Sequence, residues 1–580
     1  MLMTTTEVPT FFGPSDSPLF GVLHLPAEDQ IRGGVLISGS LGKEGMDSVR
    51  LHRTLADRLA RRGFGVLRFD YLGLGDSAFG QLSDDAVANW VASVGHALDY
   101  LRLIGAQSAT AIGIRAGCLI LQEYLAQSHS HTVSRVVYLD PAGTGRRYLR
   151  EHTTLFRLLV GDHIPTPDEV SVIGGRFSKP AAAAFSALRM SANPVGTNGI
   201  AKVLVVGRPA ETDKHITALA SAAGVDSITT GGLPDCARSR EFLLPVPCTA
   251  IDSISEWLDG NVATDTHLAT PVYLTTVTMP AEGPDGIEVL ERIERIGPKG
   301  LFAIRTLPRR LGAAPAKTVL FFVTNKDSHV GPAREWVELS RHIATAGSQA
   351  LRWDPAGLGL SSHIRRDPYR RIYAKADIDD SIAVSRHACQ NAGELTLVGI
   401  CSGSWYAAHV ARNIGARSAI LINPVAWNWR VTPSLLSQWY VRRRALHANV
   451  ASDSPESTTN SLKALLYQPR ALAKSLIHNH LPRYVLRALS WVGLLYLPED
   501  ILATLAHRGT EVTLIASPED AEQFTARGGR AALDRLQSTS RPPRLVVPPT
   551  GDHSAHHPAI LAEIRTAVLP VAAYASVRSA

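Results

Sequence analysis

Cysteine is scarce in this chain of 580 residues: there are five, Cys118, Cys236, Cys248, Cys389 and Cys401. They are too few and too scattered for a disulfide scaffold, and no two form a CxxC pair of the kind that builds a structural zinc site. No apolar run approaches the ~20 residues a bilayer-spanning helix needs. The opening MLMTTTEVPT lacks a basic stretch followed by an apolar core, so no secretory signal is expected. Neither sign of charge dominates: 59 basic against 52 acidic residues leave +7. That is a weak footing for nucleic-acid binding, and no RNA- or DNA-binding motif accompanies it. The expectation is a reduced, cytoplasmic, soluble protein with no nucleic-acid partner and no stable membrane insertion. Hydrophobic residues at 45% and charged residues at 19% exclude a wholly disordered or collagen-like chain. The length suits two large domains or three to four small ones.

What is present is an internal repeat. Residues 63–77 read GFGVLRFDYLGLGDS and residues 347–361 read GSQALRWDPAGLGLS. Arg68, Asp70, Gly73 and Gly75 fall on Arg352, Asp354, Gly357 and Gly359. An apolar strand and an amphipathic helix precede each copy: GGVLIS and RLHRTLADRLARR in the first, KTVLFFVT and WVELSRHIATA in the second. SATAIGIRAG then pairs with ELTLVGICSG, VVYLDP with AILINP, and VLVVGRPAE with VTLIASPED, in the same order. The strands are short and rich in Val, Ile and Leu without alternation, and helical segments separate them. That pattern predicts mostly parallel sheets covered by helices on both faces. The repeats are placed at 8–262 and 285–570, with 263–284 as a linker holding an edge strand. The glycines of LGLGDS and AGLGLS read as turn glycines, since the rest of GxGxxG and a phosphate-binding lysine are absent.

The segment Gly399-Ile400-Cys401-Ser402-Gly403 joins an apolar strand to a helix beginning WYAAHVARN. A nucleophile on such a turn needs small residues two before and two after it, and both positions are glycine. The turn aims the side chain at a helix N-terminus, where the dipole favours an anion. A lone cysteine near a buried strand is usually a small core residue, so the context carries the reading. Ser402 is the other candidate nucleophile, but Ile400 would then crowd the turn.

With RWDPAGLGLS, the elbow GICSG and the late GDHSA, the chain resembles the α/β-hydrolase family over nearly all of both halves. The closest likeness is to its serine-aminopeptidase-like lipases and esterases. The resemblance implies two tandem α/β-hydrolase domains, with nucleophile, acid and histidine in that chain order. It implies Cys401 as nucleophile, a thiol where a hydroxyl is usual. Asp520, after VTLIAS, would be the acid, with Glu519 as alternate. His553, after RLVVPP, would be the base, with His556 as alternate. The oxyanion hole would use the Ser402 N–H and a second N–H near Asn325 or Lys326. No cofactor and no metal are implied.

The first repeat has Gly113-Ile114-Arg115-Ala116-Gly117 at its turn. A guanidinium cannot serve as the nucleophile. Glu211 holds the acid position, and Cys236, beside Asp235, falls at the histidine position. This half is expected to be inactive. Arg115 is read either as structural or as an anion ligand in the old pocket, and Cys118 as core.

The second repeat carries about 26 extra residues before its SPED strand, read as a helical cap at about 427–505. From 430 to 498 there are nine Lys/Arg and two Asp/Glu. Arg442, Arg443 and Trp427 are the expected substrate contacts, for a ligand with an anionic group and an apolar body. An acyl group on a phosphopantetheine arm, as acyl-CoA or acyl-carrier protein, matches both features. A thiolate attacks well at neutral pH and yields a thioester able to acylate amines, alcohols or water. Three functions remain open: cysteine-dependent acyl transfer (acyltransferase or thioesterase), carboxylester or amide hydrolysis by the same triad, and a non-catalytic binding or scaffold module.

Overall fold

A computed structural model of the chain describes residues 5–27, 30–127, 133–161, 168–192, 199–233, 246–263, 266–280, 287–309, 317–324, 327–361, 373–429, 482, 484–486, 490 and 497–573. It divides into two compact units. The first is Met1–Glu294 with Ile304–Ala313 and Val330–Ala346; the second is Arg295–Ala303 with Ala314–His329 and Gly347–Ala580.

The first sheet is built from β1 (Thr5–Phe12), β2 (Leu19–Pro26), β3 (Gly34–Ser38), β4 (Gly65–Phe69), β5 (Ala109–Ile114), β6 (Val133–Leu139), β7 (Lys202–Gly207) and β8 (Val225–Thr229). Their order across the sheet is β1-β2-β4-β3-β5-β6-β7-β8. β1 pairs antiparallel with β2, and β2 antiparallel with β4; from β4 onward every pairing is parallel. The second sheet uses β9 (Thr276–Met279), β10 (Val289–Ile296), β11 (Leu301–Pro308), β12 (Thr318–Phe322), β13 (Gln349–Trp353), β14 (Leu395–Ile400), β15 (Ser418–Ile422), β16 (Glu511–Ile515) and β17 (Arg544–Val546). Its order is β9-β10-β11-β13-β12-β14-β15-β16-β17. With the edge strand β9 set aside, this is the order of the first sheet. The expected linker thus contains an edge strand, and its earlier part, His267–Leu268, pairs antiparallel with Gln30–Ile31.

The central strands are apolar along their whole length because helices cover both faces. β3, β5, β12, β14 and β15 are buried at every position. In the first unit Ile112, Ile114, Val137 and Leu204 pack against Leu55 and Leu59 of the helix Val49–Ala60. In the second unit Leu397, Leu421 and Leu514 share a core with Ala407 and Val410 of the helix Ser402–Ile414.

The repeated Asp and Gly residues have one physical explanation. Gly75 has φ +50° and Gly359 φ +44°, and a Cβ at either would strike the carboxylate of Asp70 or Asp354. Each carboxylate accepts a backbone N–H from the turn it braces, Asp76 in the first copy and Leu360 in the second. Only glycine provides both the left-handed backbone and the space.

The cap boundaries need correction at both ends. Trp427 is 2% exposed and belongs to the core, and the helix Pro498–His507 buries Ile501, Leu502 and Leu505 against the same core. These segments belong to the body of the unit. The basic stretch between them lies almost wholly outside the described residues.

Candidate active site

The turn after β14 has the conformation a nucleophile elbow requires. Cys401 sits at φ +53°, ψ −115°, as N-cap of the helix Ser402–Ile414, and its side chain does not cap that helix. A non-glycine residue held there stores about 1–3 kcal/mol of strain. Its N–H is fixed by the Ile422 carbonyl at 2.9 Å. The flanking glycines are obligatory. A Cβ on Gly399 would lie 2.4 Å from the Gly403 carbonyl oxygen, and one on Gly403 would lie 2.7 Å from the carbonyl oxygens of Phe322 and Val323.

Two other loops converge on this thiol. Ser517 caps the helix Pro518–Ala526 and places Asp520 in its first turn. The His553 Nδ1 lies 3.0 Å from each Asp520 carboxylate oxygen. The same ring interacts with the Cys401 side chain. With Nδ1 committed to Asp520, Nε2 is the nitrogen left for sulfur. Burial works against a charged ring, but the hydrogen bond to Asp520 and the interaction with Cys401 outweigh it, and the His553 pKa is pushed up to about 10. Glu519 is exposed, and His556 is held through its backbone N–H by Asp552.

The Ser402 N–H is at the first turn of a helix, where backbone donors have no intrahelical partner. The Ser402 hydroxyl is buried and has no hydrogen-bond partner among the described residues, which does not suit the alternative nucleophile role. Asn325 and Lys326, and likewise Arg442 and Arg443, lie outside the described residues. Trp427 packs its ring on Phe524 at 5.3 Å between centroids. This is a core contact in place of the expected substrate contact: the chain enters the sheet-covering layer before the insertion begins. Among the described residues, no group of three or more His, Cys, Asp or Glu is placed to hold a metal ion.

Three residues near the centre carry no motif in the sequence. Tyr373, whose phenol burial pushes up, interacts electrostatically with Cys401 and Arg527. Arg527 interacts with Asp520 and donates to the Val425 carbonyl at 2.9 Å. Asn423 links the acid and histidine loops. The proline that follows it in AILINP marked the place, but nothing in that segment pointed to the amide.

The matching turn of the first unit reproduces the backbone and not the chemistry. Arg115 also has φ +53°, and its N–H is fixed by Leu139 as Cys401's is by Ile422. Gly117 is as confined as Gly403, its Cβ falling within 2.2 Å of the Ser38 carbonyl oxygen. With the same strand order, the same strained position and the same pair of confined glycines in each sheet and its elbow, the fold is decided. Both halves adopt the α/β-hydrolase fold.

No protein-family model matches the sequence, and no curated protein matches it. Solved structures similar to the chain include Est1E from Butyrivibrio proteoclasticus with bound ferulic acid, at 16% identity over 43% of this chain and 98% of its own, with TM-score 0.33. A soluble variant of monoglyceride lipase from Saccharomyces cerevisiae in complex with a substrate analogue is also 16% identical, over 46% of this chain and 98% of its own, with TM-score 0.33. An esterase from Pyrococcus furiosus is 14% identical over 44% of this chain and 91% of its own, with TM-score 0.30.

In the first α/β-hydrolase half the old pocket is filled by charge. Arg115 donates from Nε and Nη2 to one Glu44 oxygen, at 3.2 and 3.0 Å, and reaches Asp140 at 3.7 Å. Arg208 grips both Asp140 oxygens at 2.6 and 2.8 Å. The cavity among Glu44, Arg115 and Asp140 is about 20 Å³, room for a water and no more. An anion would meet two carboxylates there, so Arg115 is a paired structural cation in place of the free anion ligand considered above. Cys118 is wholly buried, which raises its thiol pKa, as expected of a core residue. Glu211 spends its carboxylate on the N–H groups of Thr212 and Asp213, while Cys236 and Asp235 lie outside the described residues.

Proposed function

We propose that the second half is a cysteine-dependent acyl-transfer enzyme, an acyltransferase or thioesterase, working through an acyl-enzyme on Cys401. The observation that carries this reading is the strained Cys401 at the elbow together with the His553–Asp520 pair that interacts with it. His553 Nε2 takes the thiol proton, and the thiolate attacks the carbonyl carbon of an acyl thioester or activated ester. The oxyanion that forms meets the Ser402 N–H and the helix N-terminus. Collapse breaks the bond to the donor's sulfur or oxygen, which leaves with the proton held by His553. Water, an alcohol or an amine then gives a proton to His553, attacks the Cys401 thioester and releases the thiolate, which recovers that proton. Asp520 keeps Nδ1 protonated and the ring in register throughout.

The thiol favours transfer because its acyl product is itself an activated thioester. The surplus of basic residues between 430 and 498 and the nearby Arg527 favour a donor with an anionic arm, such as acyl-CoA or an acyl-carrier protein. The full chain is to be mixed with acyl thioesters and aryl esters, with and without added amine or alcohol. Consumption of thioester that disappears in Cys401→Ala and His553→Ala, with product diverted to the acceptor, is expected. Turnover that survives Cys401→Ala refutes the proposal. Steady aryl-ester turnover indifferent to acceptor points instead to plain hydrolysis.

A further inference from the structure

Asn423 follows β15, is wholly buried, and has φ +45°. Its side chain joins two loops that are far apart in sequence. Oδ1 accepts the Ser517 N–H at 2.7 Å. Nδ2 donates to the carbonyl oxygens of His553 at 2.7 Å and Asp552 at 3.1 Å. Ser517 Oγ in turn donates to Asp520 Oδ2 at 2.6 Å, and Asp520 receives His553 Nδ1. A ring therefore closes through Asn423, Ser517, Asp520 and His553, with every member bonded to the next.

We infer that Asn423 is the positioning residue of this site: one buried amide clamps the acid loop and the histidine loop together and so holds the His553 ring in register with Cys401. This deepens the triad reading and rests on it. The backbone alone does not demand asparagine. At the matching place in the first half, Asp140 adopts φ +48° and its N–H bonds the Val206 carbonyl, as Asn423's bonds Ile515. Asp140, however, spends its side chain on Arg208. The two amide donors occur in the half whose elbow carries a thiol, where they bear on the histidine loop. An aspartate could keep the Ser517 acceptor contact but could not donate to His553.

Among the described residues, these charged and titratable groups surround the ring. Asp520 and Cys401 face His553, Arg527 faces Asp520, Tyr373 faces Cys401, and Asp552 and His556 lie on the histidine's own loop. The test uses the full chain and needs no substrate. The rate of Cys401 alkylation by iodoacetamide is followed from pH 5 to 10 in the parent, His553→Ala, Asn423→Gly, Asn423→Asp, Ser517→Ala and the Asn423→Gly/Ser517→Ala pair. Glycine accepts the positive φ, and aspartate has the native precedent of Asp140, so two independent variants keep the backbone.

The expected result is a parent profile whose acid limb depends on His553. In Asn423→Gly that limb moves toward the His553→Ala profile, with alkylation near pH 6 slowed about tenfold to a hundredfold; Asn423→Asp falls between. The paired variant should be no slower than its slower single member, since the ring acts as a unit. A parent profile that depends on His553 but is unmoved by both Asn423 substitutions overturns the inference alone. Losses that multiply in the paired variant also overturn it. A parent profile identical to that of His553→Ala overturns the triad reading and the inference together.

Discussion

Arg115→Met is the sharpest perturbation of the first half. In the parent, the guanidinium is 13% exposed and the Glu44 and Asp140 side chains 7% each, so all three charges are out of bulk water. Removing one member of such a group costs about 3–5 kcal/mol, because the partner is left charged and buried. The neighbours soften this loss. Asp140 keeps both bonds to Arg208, and Glu44 keeps the Ser40 hydroxyl at 2.9 Å and His152 at 3.4 Å. The expected loss is therefore at the low end, about 3 kcal/mol, or roughly a hundredfold faster hydrogen exchange in peptides covering β3 and β5. Exchange is the right assay because two units need not unfold together. Burial alone would raise the Glu44 pKa, but Arg115 and then His152 outweigh it and hold the carboxyl well below the usual carboxylate range. That contribution is present above about pH 4.5 and is lost as pH falls. The gap between parent and variant should accordingly shrink toward pH 4, and Glu44→Gln in the Arg115→Met background should recover much of it at pH 7. A loss under about 1 kcal/mol, or one that Glu44→Gln deepens, would refute the claim that this turn is braced by buried charge.

Gly403→Ala should cost about 1–3 kcal/mol in urea unfolding, since the new Cβ meets two backbone carbonyls that cannot rotate away, and a neutral result would refute the elbow geometry. Asp520→Asn should lower kcat about 10³–10⁴-fold while leaving the fold intact, and a change under tenfold would remove Asp520 from the triad. The raised His553 pKa stabilises the fold fully below about pH 6.5 and loses that contribution as pH rises through about 10. The stability gap between the parent and His553→Gln should therefore narrow from pH 6 to pH 10; a gap that widens would show that the ring is not held as a cation.

Strand sequence and sheet type were legible because buried parallel strands must be apolar throughout. The elbow was legible because its two glycines answer a steric demand that no other residue meets. That Asp520 and His553 would come together was legible from their place after β16 and β17. Trp427 was misplaced because an aromatic beside a basic insertion looks the same in sequence whether it faces ligand or core. Arg115 was only half legible: its inability to attack follows from its chemistry, but its partners Glu44 and Asp140 come from loops that only the folded sheet brings together. Asn423 was invisible because it joins three segments about 90 and 130 residues apart through one amide.

The most direct measurement is the intact mass of the full chain after brief mixing with an acyl thioester. The account predicts a gain equal to one acyl group, carried on Cys401, absent in Cys401→Ala and slow to form in His553→Ala. A chain that gains no mass, or that gains it equally in Cys401→Ala, contradicts it.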